Sequence, residues 1–210
     1  MYKYSVLMSV YFKDDADNLR LAIDSMLNQT VKPEQYVVVE DGKLTSELNT
    51  VIDEYENQYP ELFTIVKIAQ NKGLANALNE GIKVCRNELV ARMDADDISY
   101  SNRLEVQLGE LLRRDLDLIG CNIVRFTENK ILDFSNYPTS TKAINKSIMY
   151  TSVIAHPTWL IRRDVFNRVG LYRDFYSCED YDFLLRSRKK EIKMGNVKDV
   201  LLKYKVNQFS

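Results

Sequence analysis

Residues 88–97, with the sequence ELVARMDADD, decide the fold of this chain. The part from Glu88 to Met93 is short and mostly apolar, which predicts a buried strand. It runs directly into the acidic turn Asp94-Ala95-Asp96-Asp97. In open sheets of parallel strands, ligands bind beyond the carboxyl ends of the strands. The segment therefore predicts a strand that ends at a polar site.

Strands and helices alternate along the chain ahead of this segment. Buried strands are predicted over residues 5–11, 35–40 and 62–68, with apolar helical stripes between them. Ser46 is predicted to cap the second helix, and Gly73 to open the third. Strands that are apolar on both faces and alternate with helices predict a parallel sheet with right-handed crossovers. This arrangement is a Rossmann-like α/β fold with a mostly parallel sheet flanked by helices.

Polar residues follow three of the predicted strands. Asp41 follows the second strand, Asn71 the third and the acidic turn the fourth. Because the carboxyl ends of parallel strands share one edge of a sheet, we expect these side chains to gather there.

The rest of the chain is less regular and adds to the same domain. Residues 117–126 and 130–134 predict a hairpin around Glu128-Asn129. The later predicted elements are a strand near residues 158–162, a helix from about residue 179 and a strand near residues 200–206. No repeat, low-complexity tract or linker separates them from the first half, so we predict a single domain over residues 1–210.

Composition excludes several classes of protein. Of the 210 residues, 45% are hydrophobic and 28% are charged, so the chain can bury a globular core. The formal net charge of -1 gives no reason to expect a nucleic-acid partner. Three scattered cysteines, Cys85, Cys121 and Cys178, have no metal-binding spacing and are expected to be buried or inert thiols of a reducing compartment. Since no signal peptide or membrane-spanning run is visible, we expect a cytoplasmic protein.

Asp94 and Asp96 form a DxD motif at the mouth of a strand. Two carboxylates one residue apart on a turn can reach one hard divalent cation, and both Mn²⁺ and Mg²⁺ prefer oxygen ligands. Such a cation would neutralise charge on a departing diphosphate. Acidic turns are also common and usually only solvated, so the motif alone leaves both interpretations open.

The other polar segments have two interpretations each. Glu179 and Asp180 begin a predicted helix, where carboxylates either favour the helix dipole and cap free N–H groups or supply a general base. The helix start at Asn71-Lys72-Gly73 suits an anionic or polar ligand, although its glycine equally serves turn geometry. Asp41 precedes Gly42, so it either forms an Asp-Gly turn or accepts a hydrogen bond from a base or ribose.

Seven segments stand in a characteristic order, namely Val6-Leu7-Met8-Ser9-Val10-Tyr11, Val38-Val39-Glu40-Asp41-Gly42, Asn71-Lys72-Gly73-Leu74 with residues 77–82, Met93-Asp94-Ala95-Asp96-Asp97, Arg103-Leu104 with Gln107, His156-Pro157-Thr158 and Glu179-Asp180-Tyr181-Asp182. This combination covers nearly the whole chain and resembles the family 2 inverting glycosyltransferases. The closest resemblance is to bacterial enzymes that build capsule, exopolysaccharide or O-antigen chains. It implies the GT-A fold, in which a nucleotide-sugar-binding half (residues 1–98) merges with an acceptor-binding half (residues 99–210).

The resemblance also implies a role for each matching residue. The implied donor-binding residues are Ser9, Val10, Tyr11, Asp41, Asn71, Lys72, Gly73, Asp94, Ala95 and Asp96. Among them, Asp41 matches the residue that binds the base, usually uracil. Asp94 and Asp96 match the ligands of Mn²⁺ or Mg²⁺, with Asp96 the more direct one. Asp180 matches the catalytic base, and Glu179 would lie beside it on an acceptor or donor hydroxyl.

The implied reaction moves a sugar, with inversion, from a nucleotide diphosphate to a saccharide or lipid-linked saccharide during cell-surface polysaccharide synthesis. UDP is the expected nucleotide, while dTDP and GDP stay open. Basic residues between positions 186 and 198 indicate either a solvated face or a peripheral contact with anionic lipid. Two alternatives remain, a non-catalytic nucleotide-sugar-binding module and a sugar-nucleotide nucleotidyltransferase. The lack of glycine in residues 11–15 counts against the second.

One segment departs from the family pattern. Many relatives carry Tyr-Arg-x-His near the end of this region, and the matching stretch here is Tyr204-Lys205-Val206-Asn207. Asn207 in place of the histidine puts a third protein ligand to the metal in doubt. Because the chain stops three residues later, we expect a C-terminal segment to be missing.

Overall fold

A nine-stranded mixed sheet flanked by helices forms the centre of the chain in a computed structural model that describes residues 3–127, 130–175 and 177–206. The strands are β1 (Tyr4–Val10), β2 (Gln35–Asp41), β3 (Phe63–Ile68), β4 (Leu89–Met93), β5 (Ile98–Ser99), β6 (Leu118–Thr127), β7 (Lys130–Phe134), β8 (Leu160–Arg162) and β9 (Met194–Lys205). The helices are α1 (Ala16–Leu27), α2 (Ser46–Gln58), α3 (Leu74–Val84), α4 (Arg103–Arg113), α5 (Thr141–Ser147), α6 (Val165–Val169) and α7 (Glu179–Lys189), with a 3₁₀ turn at His156–Thr158.

The first half of the sheet confirms the predicted parallel arrangement. Strands β3, β2, β1 and β4 lie side by side in that order, and all three pairings are parallel. Successive side chains of β1 point to opposite faces, so Val6 and Met8 pack with α1, α2 and α4 while Leu7 packs with α3. A Cβ at Gly81 would overlap Leu7 and Val39, so this glycine allows α3 to lie close to the sheet. Apolar residues on both strand faces are therefore explained by two helical layers.

The second half continues the same sheet with mixed strand directions. The order after β4 is β8, β6, β9 and β5, and β7 pairs with β6. β8 is antiparallel to both β4 and β6, whereas β9 is parallel to β6. β5 pairs antiparallel with β9, which brings the end of β9 next to the acidic turn. This pairing determines which later residues reach the site.

Several local predictions need correction. Thr45, whose hydroxyl accepts the N–H of Leu48, caps α2, whereas Ser46 is the first helical residue. Of the strand predicted at residues 158–162, only β8 forms, because the segment around Pro157 makes a 3₁₀ turn. β9 begins at Met194, well before the predicted residue 200. The β6–β7 hairpin is confirmed, although its predicted tip Glu128-Asn129 lies outside the described residues.

No helix in the described part of the chain combines the length and the apolar character needed to cross a membrane.

Candidate active site

A cleft of about 400 Å³ opens at the carboxyl edge of the parallel strands. It is lined by Ser9, Tyr11, Asp14, Asp41, Asn71, Gly73, Leu74, Asp94, Ala95, Asp96, Tyr204 and Lys205. The structure thus brings most of the predicted donor-binding residues together. The exceptions are Val10, which is buried in the core, and Lys72, which contributes a backbone N–H to the cleft wall.

The carboxylate of Asp41 shapes the loop before α3. Its Oδ1 accepts the N–H of Lys72 at 2.8 Å, and its Oδ2 accepts the N–H of Gly73 at 3.0 Å. Gly42 has φ 88°, and a Cβ there would lie 2.7 Å from the backbone nitrogen of Asn71. Gly42 therefore adopts the positive φ that suits an Asp-Gly turn, which was one of the two interpretations from sequence. Since each carboxylate oxygen has a second lone pair, the same group can also accept a hydrogen bond from a ligand.

Three carboxylates meet in the turn after β4. One oxygen from each of Asp94, Asp96 and Asp97 lies within 4.8 Å of the others. Asp97 is fully buried, and its Oδ1 accepts the N–H of Lys205 at 2.8 Å. Among the described residues its Oδ2 has no hydrogen-bond partner. A buried carboxylate oxygen without a partner, beside two others, fits the hard oxygen ligands that Mn²⁺ and Mg²⁺ require.

Burial and mutual repulsion raise the proton affinity of this carboxylate group. The pKa of Asp97 is well above its ordinary value because of burial, and then because of the charges of Asp94 and Asp96.

Asp14, in the loop after β1, accepts the N–H of Tyr11 at 2.9 Å. Burial, with the charges of Asp96 and Asp94 adding to it, raises the pKa of Asp14 to about 7. The sequence analysis assigned no role to Asp14, since nothing in the sequence shows that this loop folds towards the acidic turn.

The end of β9 completes the cleft. Burial, followed by the charges of Asp94, Asp97 and Asp96, raises the pKa of Tyr204 to about 12. The ammonium group of Lys205 donates to Oδ1 of Asn18 at 3.0 Å, and Lys205 is the basic residue among those lining the cleft. Asn207, the residue questioned as a metal ligand, lies outside the described residues.

The three carboxylates in the first turn of α7, those of Glu179, Asp180 and Asp182, have different surroundings. Asp182 forms ion pairs with Arg186 at 2.7 Å and with Arg173 at 3.8 Å, which fits a structural role. Burial raises the pKa of both Glu179 and Asp180, and the charge of Asp94 contributes in each case. These two carboxylates therefore lie within electrostatic range of the acidic turn, although neither lines the donor cleft.

A buried arginine interacts with both of these groups of carboxylates. Arg92 of β4 is 3% exposed and forms an ion pair with Asp94. Its charge opposes the raised pKa of Glu179 and of Asp180. Nearby, Nε2 of His156 lies 2.9 Å from the hydroxyl of Tyr172, and burial followed by the charge of Arg92 holds the pKa of His156 well below its ordinary value. The sequence analysis missed Arg92, although a charged residue inside an apolar strand is an available signal.

The three cysteines differ in exposure. Cys85 and Cys121 are buried as expected, and burial raises the pKa of each to about 12. Cys178 is exposed, so of the two expected alternatives, a buried or an inert thiol, only the second applies to that position. It directly precedes α7, outside the packed core.

The sequence relatives are enzymes of sugar transfer. The profile of glycosyl transferase family 2 matches residues 5–170. The chain is 34% identical over 204 residues to the UDP-Gal:alpha-D-GlcNAc-diphosphoundecaprenol beta-1,3-galactosyltransferase of Escherichia coli, covering 95% of this chain and 73% of that protein. It is 31% identical over 201 residues to the amylovoran biosynthesis glycosyltransferase AmsE of Erwinia amylovora, covering 95% and 75% respectively.

Solved structures share the fold at lower identity. Residues 1–349 of S. aureus TarS, in complex with UDP-GlcNAc, give a TM-score of 0.79 at 18% identity over 99% of this chain and 60% of that chain. The mannosyltransferase PcManGT of Pyrobaculum calidifontis, in complex with GDP-Man and Mn²⁺, gives 0.77 at 16% identity over 100% and 59%. The first similar solved chains are longer, and this chain spans 37% to 61% of their length.

The chain belongs to glycosyl transferase family 2, and its fold is GT-A, as the sequence predicted.

Proposed function

We propose that the chain transfers a sugar, with inversion, from a UDP-sugar to a saccharide or lipid-linked saccharide in the synthesis of a cell-surface polysaccharide. The observation that carries this proposal is the cleft in which Asp41, Asn71, Asp94 and Asp96 meet at one edge of the sheet. The E. coli relative is named for a UDP-galactose donor and a diphosphoundecaprenol-linked acceptor, and the Erwinia relative for a polysaccharide. These names support a nucleotide-sugar donor in the cleft and a saccharide acceptor beside it.

The proposed donor half, residues 1–98, would hold the nucleotide. Ser9 and Val10 end β1 and Tyr11 follows it. The backbone of these three residues would run along the nucleoside, with Asp41 at the end of β2 accepting a hydrogen bond from the base. The N–H-rich start of α3 lies on the same wall and suits a polar or anionic group. Lys205, from the proposed acceptor half of residues 99–210, supplies a cation beside the diphosphate.

Asp94, Asp96 and Asp97 would hold Mn²⁺ or Mg²⁺, with Asp96 and Asp97 as the main ligands because Asp94 is also bound by Arg92. Such a cation would neutralise charge on the departing diphosphate. Its preferred ligands are oxygens, and the buried Oδ2 of Asp97 supplies one that no described hydrogen bond satisfies. The third carboxylate of this turn would supply the third protein ligand that Asn207 does not provide.

Asp180 would act as the general base. It takes the proton of an acceptor hydroxyl while that oxygen forms a bond to the anomeric carbon, and the bond from that carbon to the phosphate oxygen breaks on the opposite face. The anomeric configuration is thereby inverted, and UDP leaves. Because burial raises the pKa of Asp180, its carboxylate is a stronger base than an ordinary aspartate. Glu179 would bind a hydroxyl of the acceptor or the donor beside it.

A cytoplasmic location and a peripheral contact with anionic lipid stay predictions. Arg186 is not available for such a contact, because it binds Asp182 and donates to the carbonyl of Val169 at 2.9 Å. The exposed cations Arg188, Lys189, Lys190 and Lys198 would have to provide it, because Lys193 pairs with Asp115.

Nucleotide binding tests the donor site without knowledge of the acceptor. Thermal unfolding is followed with UDP, GDP, CDP or dTDP, each with Mn²⁺, Mg²⁺ or EDTA. At about 100 times its dissociation constant a ligand stabilises the fold by about 2.7 kcal/mol. We expect UDP to stabilise the fold only in the presence of metal, and we expect Asp96→Ala to remove this stabilisation. The control variant Asp53→Ala, which removes an exposed carboxylate of α2, should keep it. Equal stabilisation of Asp96→Ala, or none by any nucleotide, contradicts the proposal.

The Asp180→Asn variant separates an enzyme from a binding module. An enzyme loses about 10²- to 10⁴-fold in transfer rate with its general base while UDP still binds. A binding module keeps its function in this variant. A nucleotidyltransferase would instead join a sugar 1-phosphate to a nucleoside triphosphate and release diphosphate, and a separate mixture of those two substrates tests this.

A further inference from the structure

Arg92 is a buried cation that pairs with a carboxylate of the donor site and whose charge acts on two carboxylates from a distant segment of the chain. It belongs to β4, whereas Glu179 and Asp180 belong to α7. Its guanidinium forms an ion pair with Asp94, and its Nε is buried without a hydrogen-bond partner among the described residues. A buried charge costs several kcal/mol of desolvation unless it is well paired. An ion pair with one partly exposed aspartate does not account for this placement, since an apolar pair would serve the core as well.

The charges around Arg92 explain why a cation is needed there. Asp94 belongs to the acidic group of Asp94, Asp96 and Asp97, and its charge also acts on Glu179 and Asp180. The charge of Arg92 favours the ionised form of Glu179 and Asp180 and the neutral form of His156. The ion pair with Asp94 fixes the guanidinium at the acidic turn, so one buried cation acts on carboxylates of both groups.

We infer that Arg92 is a positioning residue for sugar transfer, which holds Asp94 of the donor site and Asp180 of α7 in one fixed electrostatic arrangement. The inference rests on the proposed function, because it takes Asp180 to be the base. The planar guanidinium carries several N–H donors in a fixed geometry, so it can orient Asp94 while its charge acts on Asp180. A lysine keeps the charge but not this geometry.

Arg103 provides a matched control. It is also a fully buried arginine, but it donates to the carbonyl of Pro157 at 2.7 Å and contacts the sulfur of Met26. Loss of either arginine removes a buried charge and lowers stability. Arg103 acts on Asp97 through its charge, whereas Arg92 forms an ion pair with Asp94, so the comparison isolates that ion pair. The variants Arg92→Met, Arg92→Lys and Arg103→Met are compared at a temperature at which each is folded by near-ultraviolet circular dichroism.

The measured quantities are kcat, the KM for the donor and the dissociation constant of UDP with Mn²⁺. We expect Arg92→Met to lower kcat by about 10²-fold, the loss typical of one preorganised electrostatic group, with little change in UDP affinity. Arg92→Lys should recover part of kcat, and Arg103→Met should keep it. In urea denaturation without metal, the double variant Arg92→Met/Asp94→Asn should lose less stability than the sum of the losses of the two single variants. The reason is that each single variant already breaks the same Arg92–Asp94 ion pair.

Three results overturn the inference while leaving the proposed function intact. They are a wild-type kcat in Arg92→Met, an equal loss of kcat in Arg103→Met, and additive stability losses for Arg92 and Asp94. If Arg92→Met does not fold, Arg92→Lys decides, and a wild-type kcat in that variant contradicts the positioning role. Failure of the proposed function has a different signature, since the wild-type chain would then bind no UDP and transfer no sugar.

Discussion

Asp14→Asn is expected to stabilise the metal-free protein near neutral pH, because the cleft makes the Asp14 carboxylate costly to ionise. Burial, with the charges of Asp96 and Asp94, raises its pKa to about 7. Between about pH 4 and pH 7 the folded chain therefore keeps a proton that the unfolded chain has lost. In that window the folded state binds more protons, so its stability falls as the pH rises.

The size of the effect follows from this pKa. Raising it from 3.8 to about 7 corresponds to about 4 kcal/mol, at about 1.4 kcal/mol for each pH unit. Asp14 is half-buried at an open cleft, and solvent screening reduces this to about 1–2 kcal/mol. An asparagine carries no charge, and its Oδ1 can still accept the N–H of Tyr11.

Urea denaturation in EDTA at pH 4 and pH 8 measures the difference. We expect Asp14→Asn to match the wild-type chain at pH 4 and to exceed its free energy of unfolding by about 1–2 kcal/mol at pH 8. Asp17→Asn, an exposed carboxylate in the first turn of α1, is the control. A gain in Asp14→Asn that is the same at both pH values, or a loss at pH 8, would refute the electrostatic explanation.

Three further predictions concern the neighbouring loops and the base. Gly42→Ala should lower the free energy of unfolding, measured in urea, by about 1–3 kcal/mol. The reason is that φ of Gly42 is 88° and the new Cβ would overlap Asn71. An unchanged free energy of unfolding contradicts the described backbone. A maleimide should react with the exposed Cys178 and block sugar transfer, while UDP still stabilises the fold. The variant Cys178→Ser is the control that should resist this inhibition. Full activity of the labelled chain rules out an acceptor path beside this residue. The acidic limb of kcat/KM should lie above the ordinary range of aspartate, because burial raises the pKa of Asp180 and the base acts only when ionised. A pH profile with that limb in the ordinary range contradicts this account.

The parallel half of the sheet was predictable because its signals are local. β1 and β2 are apolar at successive positions, and only a strand covered on both faces buries such a pattern. The positions of Asp41, Asn71 and Asp94 followed from the rule that strand ends share one edge. The structure brings those three residues into one cleft.

The rest of the site depends on contacts between distant segments, which no local pattern contains. Lys205 reaches the acidic turn because β9 pairs with β5, a two-residue strand with no sequence signal of its own. Asp97 was visible in the turn, but its burial and unsatisfied oxygen depend on the same pairing. The environment of Arg92 likewise requires β4 and α7 to be in place together.

Sugar transfer itself tests the central claim most directly. UDP-galactose, UDP-glucose and UDP-N-acetylglucosamine are each incubated with Mn²⁺ and a lipid analogue bearing N-acetylglucosamine diphosphate, the acceptor class named for the E. coli relative. Mass spectrometry follows the mass of the acceptor. The account predicts that the wild-type chain adds one hexose or N-acetylhexosamine and releases UDP, and that Asp180→Asn, although it binds UDP, does so at least about 10²-fold more slowly. Transfer by Asp180→Asn at the wild-type rate, or no transfer from any of these donors by a chain that binds UDP, would contradict it.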